Sequence, residues 1–123
     1  MQVPTDDEFD DIVSKALDSL PEKYTSKLLG SVAIVYADDP TPQQREQLNL
    51  HCNQTLLGLY EGVPLPARGG MVKIVPDKIT LFKNPLAGQS QTQKDLEENV
   101  RHTLWHEMAH YFGLDHKRIH ELE

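Results

Sequence analysis

The sequence predicts a mixed α/β (α+β) fold, a small mixed sheet with an N-terminal helix and a long helix near the C-terminus. Three observations predict it. Apolar residues recur at helical spacing in two stretches, Phe9 to Leu20 and Leu96 to Phe112. Between these stretches lie short β-branched runs, each bounded by Pro, Asp or Gly. The chain has 123 residues, and a domain of this size buries roughly 65–70% of its unfolded surface, enough for one core. Residues 1–123 are therefore read as one domain.

The elements follow in order. Thr5 and Glu8 form a capping box, and Phe9, Ile12, Val13, Ala16, Leu17 and Leu20 mark the apolar face of the first helix. Ser19 and Glu22, with Pro21 in the first turn, restart a short second helix that ends at Gly30. Val32 to Tyr36 is a buried strand, stopped by Asp38-Asp39-Pro40. Thr41-Pro42 with Gln44 starts a third helix, expected to run through His51 and Cys52 to about Leu57. Gly62 to Gly70, with Pro64, Pro66, Gly69 and Gly70, reads as a loop. Val72 to Val75 and Lys78 to Phe82 are strands separated by Pro76-Asp77, and Asn84-Pro85 ends the second. Gln89 to Gln93 is a polar loop in which Ser90 or Thr92 can cap the last long helix. That helix is expected from Asp95 to about Phe112, with Leu96, Val100, Leu104, Met108 and Phe112 packing on the sheet. Ile119 and Leu122 suggest a terminal helical turn.

The formal charge is −7, from 19 acidic and 12 basic residues. This acidity argues against a nucleic-acid or anionic-membrane partner. Cys52 is the one cysteine, which excludes an intrachain disulfide and favours a reducing compartment. The N-terminus lacks the basic and apolar regions of a secretory signal. No apolar run approaches the ~18 residues of a membrane span. The expectation is a soluble cytoplasmic protein, with its oligomeric state left open.

The chemistry is concentrated in His106 to His116, which reads H-E-x-x-H-x-x-G-x-x-H. His106 and His110 are four apart, about 40° round a helix, so both imidazoles leave one face. Two such imidazoles can hold one Zn²⁺ per chain. Glu107, about 100° further round, reaches a water on the metal and is read as the catalytic general base. Gly113 can end the helix in the left-handed conformation. His116 can then return to the metal as third ligand. Three protein ligands leave a fourth position for water, the catalytic arrangement. The metal face lies about 200° round from Leu104, so one side of the helix can pack while the other binds.

Other residues have plainer roles to set beside functional ones. His102, one turn before His106, is read as a solvent-facing polar residue, with a supporting or alternative ligand as the second reading. Arg68 is read as a solvated loop arginine rather than a substrate contact. Tyr111, Trp105 and Met108 are read as packing residues, although a tyrosine near zinc can donate to an oxyanion. Asp115 can cap the terminal turn or orient a histidine. Cys52 is read as a small buried hydrophobe, and the spacing of His120 from His116 as noise.

From Val63-Pro64-Leu65-Pro66-Ala67-Arg68, through Pro76-Asp77-Lys78-Ile79-Thr80-Leu81-Phe82, to the histidine motif, the chain resembles the minimal zincins, small bacterial proteins described as zinc metallopeptidases. The likeness covers the C-terminal half closely. It implies a zincin-like fold whose motif helix supports the metal beneath a small sheet, and it carries over His106, His110 and Glu107. The third-ligand position varies in that family and is often acidic or polar, whereas here it is His116. The motif also resembles the metzincin signature. Only seven residues follow His116, too few for that group's downstream methionine turn and C-terminal subdomain. The expected activity is hydrolysis of a peptide or protein substrate. An alternative is a zinc-dependent endoribonuclease of rRNA maturation, a family with three histidines at this spacing and the ending Gly-x-Asp-His, matched by Gly113 to His116. That family carries glycine where this chain has Glu107, and the charge of −7 opposes phosphate binding. The third reading is a non-catalytic, zinc-stabilised binding module.

Overall fold

The computed structural model describes residues 2–29, 31–47, 56–62 and 77–113. Helix α1 spans Asp6–Ser19. The capping box expected at its start is present: Thr5 Oγ1 accepts from the Glu8 N–H at 3.2 Å, and Glu8 Oε1 accepts from the Thr5 N–H at 3.0 Å. Asp6, Asp7 and Glu8 place negative charge in the first turn, where the helix dipole favours it. Phe9, Ile12, Val13 and Ala16 form its buried face. The helix stops at Leu20, whose backbone is extended (φ −89°, ψ 157°), because the residue before a proline is disfavoured in the helical region. Helix α2 (Glu22–Leu29) restarts at once. The Pro21 carbonyl accepts from the Tyr24 and Thr25 N–H groups at 3.0 and 3.2 Å. Ser19 serves the other side of the break, its hydroxyl donating back to Ala16 O at 2.8 Å.

Strand β1 (Val32–Ala37) matches the expected run in extent but not in burial: Val32 is buried, whereas Ala33 and Val35, on the face turned from the helices, are exposed. Helix α3 (Pro42–Gln47) begins where Thr41-Pro42 predicted it. Its expected course through His51 and Cys52 lies outside the described residues, as do all of the expected Gly62 to Gly70 loop after Gly62 and the Val72 to Val75 strand. At Leu57 the expectation fails. Leu56 and Leu57 are not helical, and the chain continues as strand β2 (Gly58–Glu61), an element the sequence reading did not contain. Strand β3 (Asp77–Phe82) follows its prediction within one residue.

The sheet order is β1-β3-β2. β1 runs parallel to β3, with Val32 opposite Asp77 and Ala37 opposite Phe82. β2 runs antiparallel to β3, with Gly58 opposite Leu81 and Tyr60 opposite Ile79. Among the described strands of this mixed sheet, β3 therefore lies between β1 and β2. Alternation along the strands sends Ile34, Tyr36, Ile79 and Leu81 to the helical face, where they join the main core. Phe82, Leu59 and Leu56 form a smaller cluster with Ala37 on the other.

Asn84-Pro85 ends β3 but starts something else. Helix α4 (Lys83–Gly88) places Pro85 in its first turn, where a missing N–H costs nothing. Thr92 caps helix α5 (Gln93–Phe112), its hydroxyl accepting from the Asp95 N–H at 3.1 Å. Ser90, the other candidate cap, instead links α4 to α5. It donates to Leu86 O at 2.8 Å and accepts from Asn99 at 2.9 Å. On α5 the stripe Leu96, Val100, Leu104 and Met108 is fully buried, with Phe112 packed at its margin. It packs against α1 and the sheet. Trp105 is core, as expected, and meets Tyr24 of α2 edge to face at 5.3 Å. Lys83 ties the N-terminus of α1 to the end of β1, pairing with Asp6 and, at 3.3 Å, with Asp38. Among the described residues, no helix is long and apolar enough to cross a membrane.

Candidate metal centre

The site is built on α5, which presents three stripes to three surroundings. The first is the core stripe through Leu104. The second, Thr103, Glu107 and Tyr111, is spaced by four and lies against β2. The third, one residue earlier, is His102, His106 and His110. This histidine stripe and Thr103 and Glu107 beside it line a cleft of about 520 Å³, whose opposite wall includes Gly58 and Tyr60 of β2. The sequence reading placed the histidines away from the packed stripe, and the structure places them so.

Each of His106, Glu107 and His110 offers one ligand atom, and these atoms lie within 4.8 Å of one another. The two imidazole rings stand 4.8 Å apart at 73°. Glu107 is 7% exposed, and a charge so placed is costly unless it is hydrogen-bonded. Its two oxygens are both engaged. Oε1 accepts from the Tyr60 main-chain N–H at 2.9 Å, and Oε2 lies 3.1 Å from His106 Nδ1. β2 pairs with β3 along one edge, and the Tyr60 N–H donates to Glu107 from the other.

Two glycines shape this arrangement. At Gly58 a Cβ would lie 2.7 Å from Thr103 Cγ2 and 3.3 Å from the Thr80 carbonyl oxygen, so β2 approaches α5 more closely than a side chain would allow. Gly113 caps α5 in the left-handed region (φ 73°, ψ 25°), its N–H directed to the Ala109 and His110 carbonyls. That is the helix stop the motif required.

Of the four site residues expected from sequence, His106, Glu107 and His110 come together. His116 lies outside the described residues, as do Arg68, Cys52, Asp115 and His120. His102 borders the cleft. Tyr111 packs, as expected, 2% exposed and edge-on to Tyr60 at 5.9 Å. What the sequence reading missed is the partner of Glu107. The one local signal was Gly58 within Leu56-Leu57-Gly58-Leu59-Tyr60, since a glycine in an apolar strand often marks another segment in close approach.

The imidazoles of His106 and His110 are nitrogen donors of the kind zinc takes, and the Glu107 carboxylate stands beside them. Their mutual spacing suits a single ion, so the donor set fits that metal. The family model for zincin-like metallopeptidases matches residues 29–123 of the chain. Among solved structures, a conserved hypothetical protein from Thermo thermophilus is similar in fold. Its TM-score is 0.60 at 21% sequence identity, over 89% of this chain and 94% of that one. No curated protein matches.

Proposed function

The chain belongs to the zincin-like metallopeptidase family, and from that premise we propose that it is a zinc-dependent peptidase with His106, His110 and His116 as ligands and Glu107 as general base. The observation that carries the proposal is the convergence of His106, Glu107 and His110 on one wall of an open cleft. His116 enters on its spacing in the motif. Zinc held there would act as a Lewis acid on the scissile carbonyl and acidify the attacking water. Glu107 receives the water's proton on Oε2, the oxygen on the histidine side, and passes it to the leaving amine. The substrate lies in the cleft between the histidine stripe and β2. The charge of −7 favours a peptide or protein over a nucleic acid.

The test compares wild type with Glu107→Gln and His110→Ala. Glu107→Gln should keep the fold and about one zinc per chain while casein hydrolysis falls by ~10²-fold or more, the low end of what a positioned base supplies. His110→Ala should lose the metal on dialysis. Equal cleavage by wild type and Glu107→Gln would assign the activity to a contaminant and end the peptidase reading.

A further inference from the structure

Tyr60 holds Glu107 with its main chain and something else with its side chain. Its phenol donates to Asp77 Oδ2 at 2.8 Å. Asp77 is the first residue of the central strand β3 and is 2% exposed. A buried carboxylate demands hydrogen-bond donors, so the pair is a firm tether between β2 and β3. Gly62 closes over it. A Cβ at Gly62 would stand 2.4 Å from Asp77 Cγ, and its φ of 155° disfavours any other residue. The Tyr60 ring also meets Tyr111 of α5 edge-on, at 84°. β2 itself has four residues, begins with one glycine and is followed by another, a composition that resists bending poorly.

We propose that Tyr60, anchored by Asp77, is a positioning residue for Glu107. The tether holds the β2 edge at the height where the Tyr60 amide captures Oε1. That turns Oε2, the proton-accepting oxygen, toward the histidines in one fixed orientation, 3.1 Å from His106 Nδ1. The catalytic consequence rests on the peptidase reading; the geometric part does not. A charge-assisted bond from a fixed amide restricts rotation of the carboxylate, and misorientation of a reacting group by a fraction of an ångström lowers the rate of the chemical step more than binding.

The test uses the full chain loaded with zinc. Tyr60→Phe removes one oxygen and leaves the ring. Its zinc content should equal wild type, KM should stay within about twofold, and kcat should fall by about tenfold. Amide hydrogen exchange at position 60 should speed up by about tenfold, as expected on weakening a bond to a charged acceptor, while α1 keeps its protection. Glu107→Ala, which removes the acceptor, should speed exchange at Tyr60 likewise. Asp77→Asn retains an oxygen that accepts from the phenol and should keep kcat within about threefold of wild type, whereas Asp77→Leu should match Tyr60→Phe. If wild type is active, an unchanged kcat or an unchanged exchange rate at position 60 in Tyr60→Phe overturns the proposal. Loss of protection spreading into α1 in both Tyr60→Phe and Asp77→Leu also overturns it, because the role would then be merely structural. If wild type cleaves no peptide but exchange at Tyr60 responds to Tyr60→Phe and to Glu107→Ala, the tether stands and the peptidase reading falls.

Discussion

At Gly58 the spacing between strand and helix is set by a missing side chain. Thr103 is β-branched and held in one of few rotamers on a helix, so its Cγ2 cannot swing away from an added methyl group 2.7 Å distant. Gly58→Ala should therefore push β2 from α5 and cost about 1–3 kcal/mol, the range for overpacking a close contact. Thr103→Ser removes the opposing methyl, so the double variant should recover most of that loss. Urea unfolding of the two single variants and the double variant measures the coupling. Additive losses would show that the strand-helix contact is not where the strain arises. At this scale the sequence reads unevenly. His106, Glu107, His110 and Gly113 are legible because their offsets lie within one helix and its cap. Tyr60 is not, because its bond to Glu107 spans 47 positions and depends on a strand that local pattern does not announce.

Among the elements, α1, α5, β1 and β3 were legible because each carries its own signal: a capping box, a stripe at every fourth residue, or a β-branched run. β2 is too short for alternation to register, and α4 was hidden because Asn84-Pro85 reads equally as a stop and as a first helical turn. The start of α1 also makes the fold locally sensitive to acid. Hydrogen bonding to Thr5, through its main-chain N–H foremost, holds the Glu8 carboxyl below its ordinary value of 4.5. A lowered folded-state pKa means that this cap is at full strength above pH ~4.5 and weakens as pH falls through the lowered value. The protection factor of the Thr5 amide, taken relative to the intrinsic exchange rate at each pH, should fall over that interval in wild type. In Thr5→Ala, which should cost about 1 kcal/mol, the Glu8 amide loses its acceptor, and its protection factor should already be low at neutral pH. A wild-type helix start insensitive to pH between about 5 and 2 would exclude the reciprocal cap.

For the whole molecule, the metal should act as a clasp on the C-terminal segment. With His116 as third ligand, chelation should increase hydrogen exchange across residues 113–123 before it affects α1, because binding energy and local order are linked. Equal protection of that segment with and without chelator would remove His116 from the ligand set. Between its ends the fold is assembled from distant parts. β3 pairs in parallel with β1 across an interval of 45 positions, as in Val32 with Asp77, and β2 pairs with β3. Contacts that close such long loops form late in folding. The motif helix can form from its own residues, but the bond from the Tyr60 amide to Glu107 closes an interval of 47 positions. On the peptidase reading, a nascent or partly unfolded copy carries the histidines without a seated base. The order of folding thus acts as a safeguard: the cleft becomes competent only after the protein's own peptide bonds have been folded out of its reach.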